Sequence, residues 1–330
     1  QESQQDLADE GDPADQLEVL SGPVATDPAE LAADPEEPLL EAQAALTFAK
    51  TKTQILTILK KYDPDGYYIV KTMEKKGDNV MSWWNSYSYA SSFGYFSSFD
   101  TMVHEELHGL TFSNVNFSKG ERIYVGSKKS IIVKYTAKFN SKVIAGSVPK
   151  SLRTDRYTTY VAKPVKNLAS NVHGIYGLFN EFTAYCWGLN AAFKLYPYVS
   201  TFDADGEVWS GYLMSLGSTQ LAYAEFRYFM EHYLYYAKVH KPKVYKAIMA
   251  NKNFKTALKK VDKKFSNLVK VGDRRVPVIA QKLRDAGYDV SATGEYVYVG
   301  MDGSFDGASL QTTQYNKFAS QLAKARYKAI

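Results

Sequence analysis

The chain holds one cysteine, Cys186, so it can form no internal disulfide, and the fold must come from packing alone. It has no apolar run long enough to span a bilayer, and no internal repeat. No RNP-type pattern of interleaved aromatic and basic residues is present, so nucleic acid is not an expected partner. Residues 1–38 lack any aromatic residue and are rich in Asp, Glu, Ala, Gln and Pro, a composition that cannot bury enough surface to order itself. They read as a disordered acidic tether. Histidine is scarce, with five residues in 330, and this scarcity makes their arrangement informative.

The remaining composition is that of a globular protein, with 45% apolar and 23% charged residues. The 26 tyrosines suit core positions or half-wet faces, because each pairs an apolar ring with a polar tip. Charge is divided unevenly. Residues 1–50 carry 13 acidic residues and one lysine, a net of −12, whereas residues 51–330 carry 39 basic and 22 acidic residues, a net of +17. A basic body of this kind can attract anionic cell-surface polymers, or simply be a solvated lysine-rich surface. The acidic leader, with no signal peptide ahead of it, suggests a secreted or surface-tethered protein whose signal has been removed.

Residues 39–61 have apolar positions at helical spacing, the run Asp63-Pro64-Asp65-Gly66 reads as a turn, and Tyr67–Val70 reads as a strand. The aromatic, serine-rich stretch 81–99 can line a cleft or pack over the core. Residues 121–137 form two β-branched runs around a turn, a hairpin pattern. Helices are expected at 175–195, 217–240, 243–250, 254–268, 275–286 and near 311–328, with a strand at Tyr296–Val299. The expected class is α+β: a mixed lobe over 39–165 and a mainly helical lobe over 166–330.

One motif carries chemistry: His104-Glu105-Glu106-Leu107-His108, an HExxH. Residues four apart share a helical face, so both imidazoles can bind one metal ion, with Glu105 placed to reach a water on it. Ser98 or Asp100 can cap this helix, and Gly109 suggests that it ends early. A hydrolytic zinc site needs a third protein ligand. The metzincin pattern would place glycine at 111 and histidine at 114, where this chain has Thr111 and Asn114. The segment Asn180-Glu181-Phe182-Thr183-Ala184-Tyr185 offers Glu181 instead, 73 residues beyond His108.

Together, residues 104–108 and 180–185 resemble the two zinc-binding helices of gluzincin metallopeptidases. The resemblance implies a zincin-like fold, Zn2+ held by His104, His108 and Glu181, and peptide or protein substrates. Glu105 would be the general base. His173, eight residues before Glu181, and then Tyr185 are candidate donors to the developing oxyanion, with Tyr223 and His232 further options. Two positions depart from the family: Glu106 stands where an uncharged residue is usual, and Tyr185 where thermolysin-like enzymes have an aspartate. Gly174 and Gly177, on the Glu181 face, would let the two helices approach. Cys186 reads as a packed thiol, and the Asp-rich runs at 203–206 and 302–306 as turns. The alternative is a zincin-like surface binding or adhesion protein with little turnover. Amide hydrolysis of a non-peptide substrate is a third reading.

Overall fold

The computed structural model describes residues 48–162, 169–202, 205–301 and 304–329. The tether assigned to 1–38 and the start of the helix expected from residue 39 lie outside these residues, as do the first two positions of the run at 203–206 and of the run at 302–306. The described protein is mostly helical with two small antiparallel sheets, a loose α+β arrangement. No described helix is long and apolar enough to cross a membrane.

Helix α1 (Lys52–Tyr62) opens on a capping box, in which Thr51 accepts from the Gln54 backbone and Gln54 reaches back. Helix α2 (Pro64–Lys75) replaces the expected turn and strand at 63–70. Pro64 occupies the first helical turn, where its missing N–H is no loss. Gly66, Ile69, Val70 and Met73 then form a buried stripe at helical rather than alternating spacing. Helix α3 (Ser92–Phe112) carries the HExxH motif and is longer than expected at both ends. Ser91, not Ser98 or Asp100, caps it by accepting from the Gly94 backbone. Gly109 does not end it, because its bare Cα makes room for the Met73 methyl, which a Cβ would meet at 2.6 Å. Of the aromatics of 81–99, Trp84, Tyr95, Phe96 and Phe99 pack in the core, whereas Tyr87 is exposed.

The expected hairpin forms as β1 (Gly120–Gly126) and β2 (Lys129–Lys134), paired antiparallel with Ile123 opposite Ile131. Residues 140–162 contain 3-10 turns and the single-turn helix α4 (Asp155–Tyr157), which runs into a π-helical turn at Thr158–Ala162. Short helix α5 (Ala169–His173) leads into α6 (Ile175–Lys194). Helix α6 is the centre of the molecule: it is buried along nearly its whole length and packs against α3.

Helix α7 (Tyr196–Val199) is followed by α8 (Gly206–Leu216), which sequence patterning misses and which Asp205 caps. Helices α9 (Thr219–His240) and α10 (Pro242–Ala250) fall where expected. The two helices expected at 254–268 and 275–286 are one, α11 (Lys252–Asp285), continuous through Gly272 and Pro277. Its apolar stripe, from Phe254 through Phe265 to Leu283, lies against the core and holds the helix together across both breakers. Strands β3 (Asp289–Ala292), β4 (Tyr296–Met301) and β5 (Ser304–Ser309) form a meander, and α12 (Thr312–Leu322) ends before the expected 328.

Candidate metal centre

Helix α3 supplies two nitrogens able to ligate a metal, and its fixed 3.6-residue period decides their spacing. Met102, Val103, Leu107 and Leu110 bury one face of α3 in the core, which turns His104, Glu105 and His108 together toward α6. Helix α6 answers with Glu181, 4% exposed. The Nε2 atoms of His104 and His108 lie 3.2 Å apart. Glu181 Oε2 is 3.5 Å from His108 Nε2 and 3.9 Å from His104 Nε2. Among the described residues these three form the one group of histidine, cysteine or acidic side chains able to share an ion.

The donor set fits zinc. Bonds of 2.0 to 2.1 Å in tetrahedral geometry put neighbouring donors about 3.3 to 3.4 Å apart. The three observed edges bracket that spacing. Burial, with smaller contributions from His108 and Arg156, holds the His104 pKa well below its usual value and so favours the neutral imidazole, the form able to ligate a metal. For His108 burial is the largest influence and acts downward, but Glu181, Glu105 and Asn180 outweigh it and raise the pKa. A metal ion there would compete with a proton. His108 Nδ1 sits 2.6 Å from Asn180 Oδ1, a contact that, with Nδ1–H donating, leaves Nε2 bare for the ion.

What lets two helices come this close is Gly188, not Gly174. A Cβ on Gly188 would meet Asp100 Oδ1 at 2.1 Å, the Asp100 carbonyl at 2.9 Å and His104 Cβ at 3.1 Å. Gly174 serves the entry to α6 instead. It precedes the helix with φ +57, and a Cβ there would strike the Phe139 carbonyl and the Tyr233 hydroxyl.

Glu105 is half-buried beside the ligands. Burial raises its pKa, the His108 charge lowers it, and Glu181 raises it again. A carboxylate tuned upward is a better proton acceptor near neutrality. The departure at Glu106 has a local cause. Its buried carboxylate accepts from Trp83 Nε1 at 2.9 Å, so it belongs to the packing under α3 rather than to the metal face.

Tyr185 stands beside His104, with ring centroids 4.7 Å apart at 89°. The Arg156 guanidinium covers its other side at 5.0 Å and donates to Glu225 at 2.7 Å. Sequence reasoning passed over Tyr160, whose hydroxyl is 3.3 Å from that of Tyr185. Its pKa is raised, first by burial and then by the Glu181 charge, so the phenol keeps its proton close to the metal ligands. The π-helical turn that carries Tyr160 is a conformation found often at functional sites. No spacing rule links residue 160 to 104–108 or 181, so only the fold could find it. His173 is placed differently. Its ring packs between Phe117 and Tyr135, at 4.6 and 4.5 Å, and both its nitrogens are buried without a partner. His232 bonds Ser147 and Tyr327, and Tyr223 bonds Asp262. Cys186 is fully buried and its thiol pKa is pushed up to about 12, as expected of a packed thiol.

Comparison with family models, curated proteins and solved structures finds no match. The reading of the site therefore rests on its own residues.

Proposed function

We propose that this protein is a zinc-dependent metallopeptidase of the gluzincin type, with a zincin-like catalytic region. The observation that carries the reading is the convergence of His104 Nε2, His108 Nε2 and Glu181 Oε2 from two helices, with Glu105 beside them. Zinc in that position would polarise a carbonyl and acidify a water molecule. The chain's own residues supply the rest. Glu105 takes the proton from the attacking water and delivers it to the leaving amine. Tyr160 donates its hydroxyl proton in a hydrogen bond to the oxygen that gains charge, ahead of Tyr185 and His173 in that role. Tyr185, pinned between His104 and Arg156, keeps the His104 ring in its plane of approach.

The substrates of this reading are peptides or proteins, and secretion or tethering at a surface by the acidic leader belongs to it as well. Glu105→Gln tests the mechanism. The amide cannot take a proton, so turnover of a broad peptide library should fall by at least about 100-fold while zinc stays bound. Hydrolysis retained at the wild-type rate by the zinc-loaded variant would refute it.

The net charge of +17 over residues 51–330 favours a second reading, a zincin-like binding module that adheres to anionic surface polymers. Full zinc occupancy, no cleavage of the library and salt-sensitive binding to such polymers would select it.

A further inference from the structure

Strand β1 places one acidic residue deep inside the protein. Glu121 is 0% exposed and makes no ion pair among the described residues, and burial raises its pKa strongly. Its carboxyl lies against the side chains of Asn180 and Tyr135, yet both its oxygens and the Tyr135 hydroxyl lack a partner in full hydrogen-bond geometry. A valine or isoleucine would fill this strand position at less cost in desolvation. The neighbour that leads elsewhere is Asn180, whose Oδ1 is 2.6 Å from His108 Nδ1.

An asparagine amide has two ends of opposite character and can be turned over at little steric cost. With Oδ1 toward His108, Nδ1 carries the proton and Nε2 is free to ligate. Turned over, the amide would offer N–H to Nδ1, and the imidazole proton would move to Nε2, the atom needed for the metal. Glu121 can break the symmetry, because a carboxyl oxygen turned to the neighbouring Asn180 would accept from its amide N–H and repel its amide oxygen. We propose that Glu121 is a positioning residue: acting through Asn180, it holds His108 in the Nδ1–H tautomer that leaves Nε2 open to the ion. This rests on the zinc reading for its consequence, but the tautomer itself can be read without metal.

The experiment compares wild type, Glu121→Leu and the double variant Glu121→Leu/Asn180→Asp. Nitrogen-15 NMR at about pH 8.5 reports the His108 tautomer in the metal-free protein, and chelator competition reports the zinc dissociation constant. Glu121→Leu should lower the Nδ1–H fraction of His108 and weaken zinc by about 10- to 100-fold, the usual effect of losing a group that supports a ligand. The aspartate of the double variant accepts at both ends, so it should restore the tautomer and most of the affinity. A His108 tautomer unchanged in Glu121→Leu would overturn the proposal. If wild type takes up no zinc, the metallopeptidase reading fails while the tautomer comparison still decides this one. Should Glu121→Leu not fold, Glu121→Gln serves: a reduced Nδ1–H fraction supports the proposal and an unchanged one overturns it.

Discussion

Gly188→Ala should separate the two helices of the candidate metal centre. The new Cβ would sit 2.1 Å from Asp100 Oδ1, 2.9 Å from the Asp100 carbonyl and 3.1 Å from His104 Cβ. The carboxylate can rotate away, but the carbonyl and His104 Cβ are fixed to α3. Comfortable contact begins near 3.5 Å, so α3 must retreat by about 0.4 to 0.6 Å along this line. Metal–ligand distances tolerate only about 0.2 Å. Inserting a methyl group into packed structure costs about 1 to 3 kcal/mol. In the metal-free protein α3 can relax outward; on the proposed zinc reading, the ion would have to draw it back against Glu181. The strain then appears in zinc affinity, as a loss of about 5- to 150-fold. The assay is zinc competition against a chelator of known affinity, with urea unfolding of the metal-free protein alongside. Gly146→Ala is the control, since a Cβ there meets nothing within 4 Å. A dissociation constant for Gly188→Ala within twofold of wild type, with the metal-free protein destabilised, would show that helix spacing does not govern the site.

Other expectations follow from the same geometry. Tyr160→Phe removes the hydroxyl near Glu181 and should lower kcat by about 10- to 1000-fold with KM little changed; a loss confined to KM would mean that Tyr160 binds substrate rather than its transition state. Asp63 is 1% exposed and burial, opposed by the Gly66 backbone N–H, raises its pKa to about 6. Its raised folded pKa means that the native state holds this proton more tightly than the unfolded chain, so stability is lost as pH rises from about 4 through 6. Asp63→Asn cannot ionise and should gain up to about 3 kcal/mol relative to wild type between pH 4 and pH 7. Urea unfolding at both pH values checks this, and parallel behaviour of the two proteins would contradict it.

Local periodicity was legible wherever one helix face decides burial. Helices α6, α9 and α10 and the β1–β2 hairpin fall within a few residues of their expected bounds. The errors share a cause. Tyr67–Val70 has strand-like composition, yet the stripe of Ile69, Val70 and Met73 docks as a helix. Two helices are expected at 254–268 and 275–286, yet packing along α11 carries one helix through Gly272 and Pro277. In each case a tertiary contact outweighed a local preference of about 1 to 3 kcal/mol.

The site divides along the same line. His104, Glu105 and His108 could be read from the chain because their relative placement is set by the helix period, a local property. Glu181 was legible only through the likeness of residues 180–185 to a known helix, and its distance of 3.5 Å from His108 is a product of how α6 packs on α3. Gly188, Asn180, Glu121 and Tyr160 act through contacts between segments far apart in sequence, and no spacing rule encodes those. Residue order alone dictates the pair of imidazoles and the carboxylate between them. Whether a third ligand meets them, which imidazole nitrogen faces it and how near the helices stand are settled by packing, because they depend on side chains that are strangers along the chain.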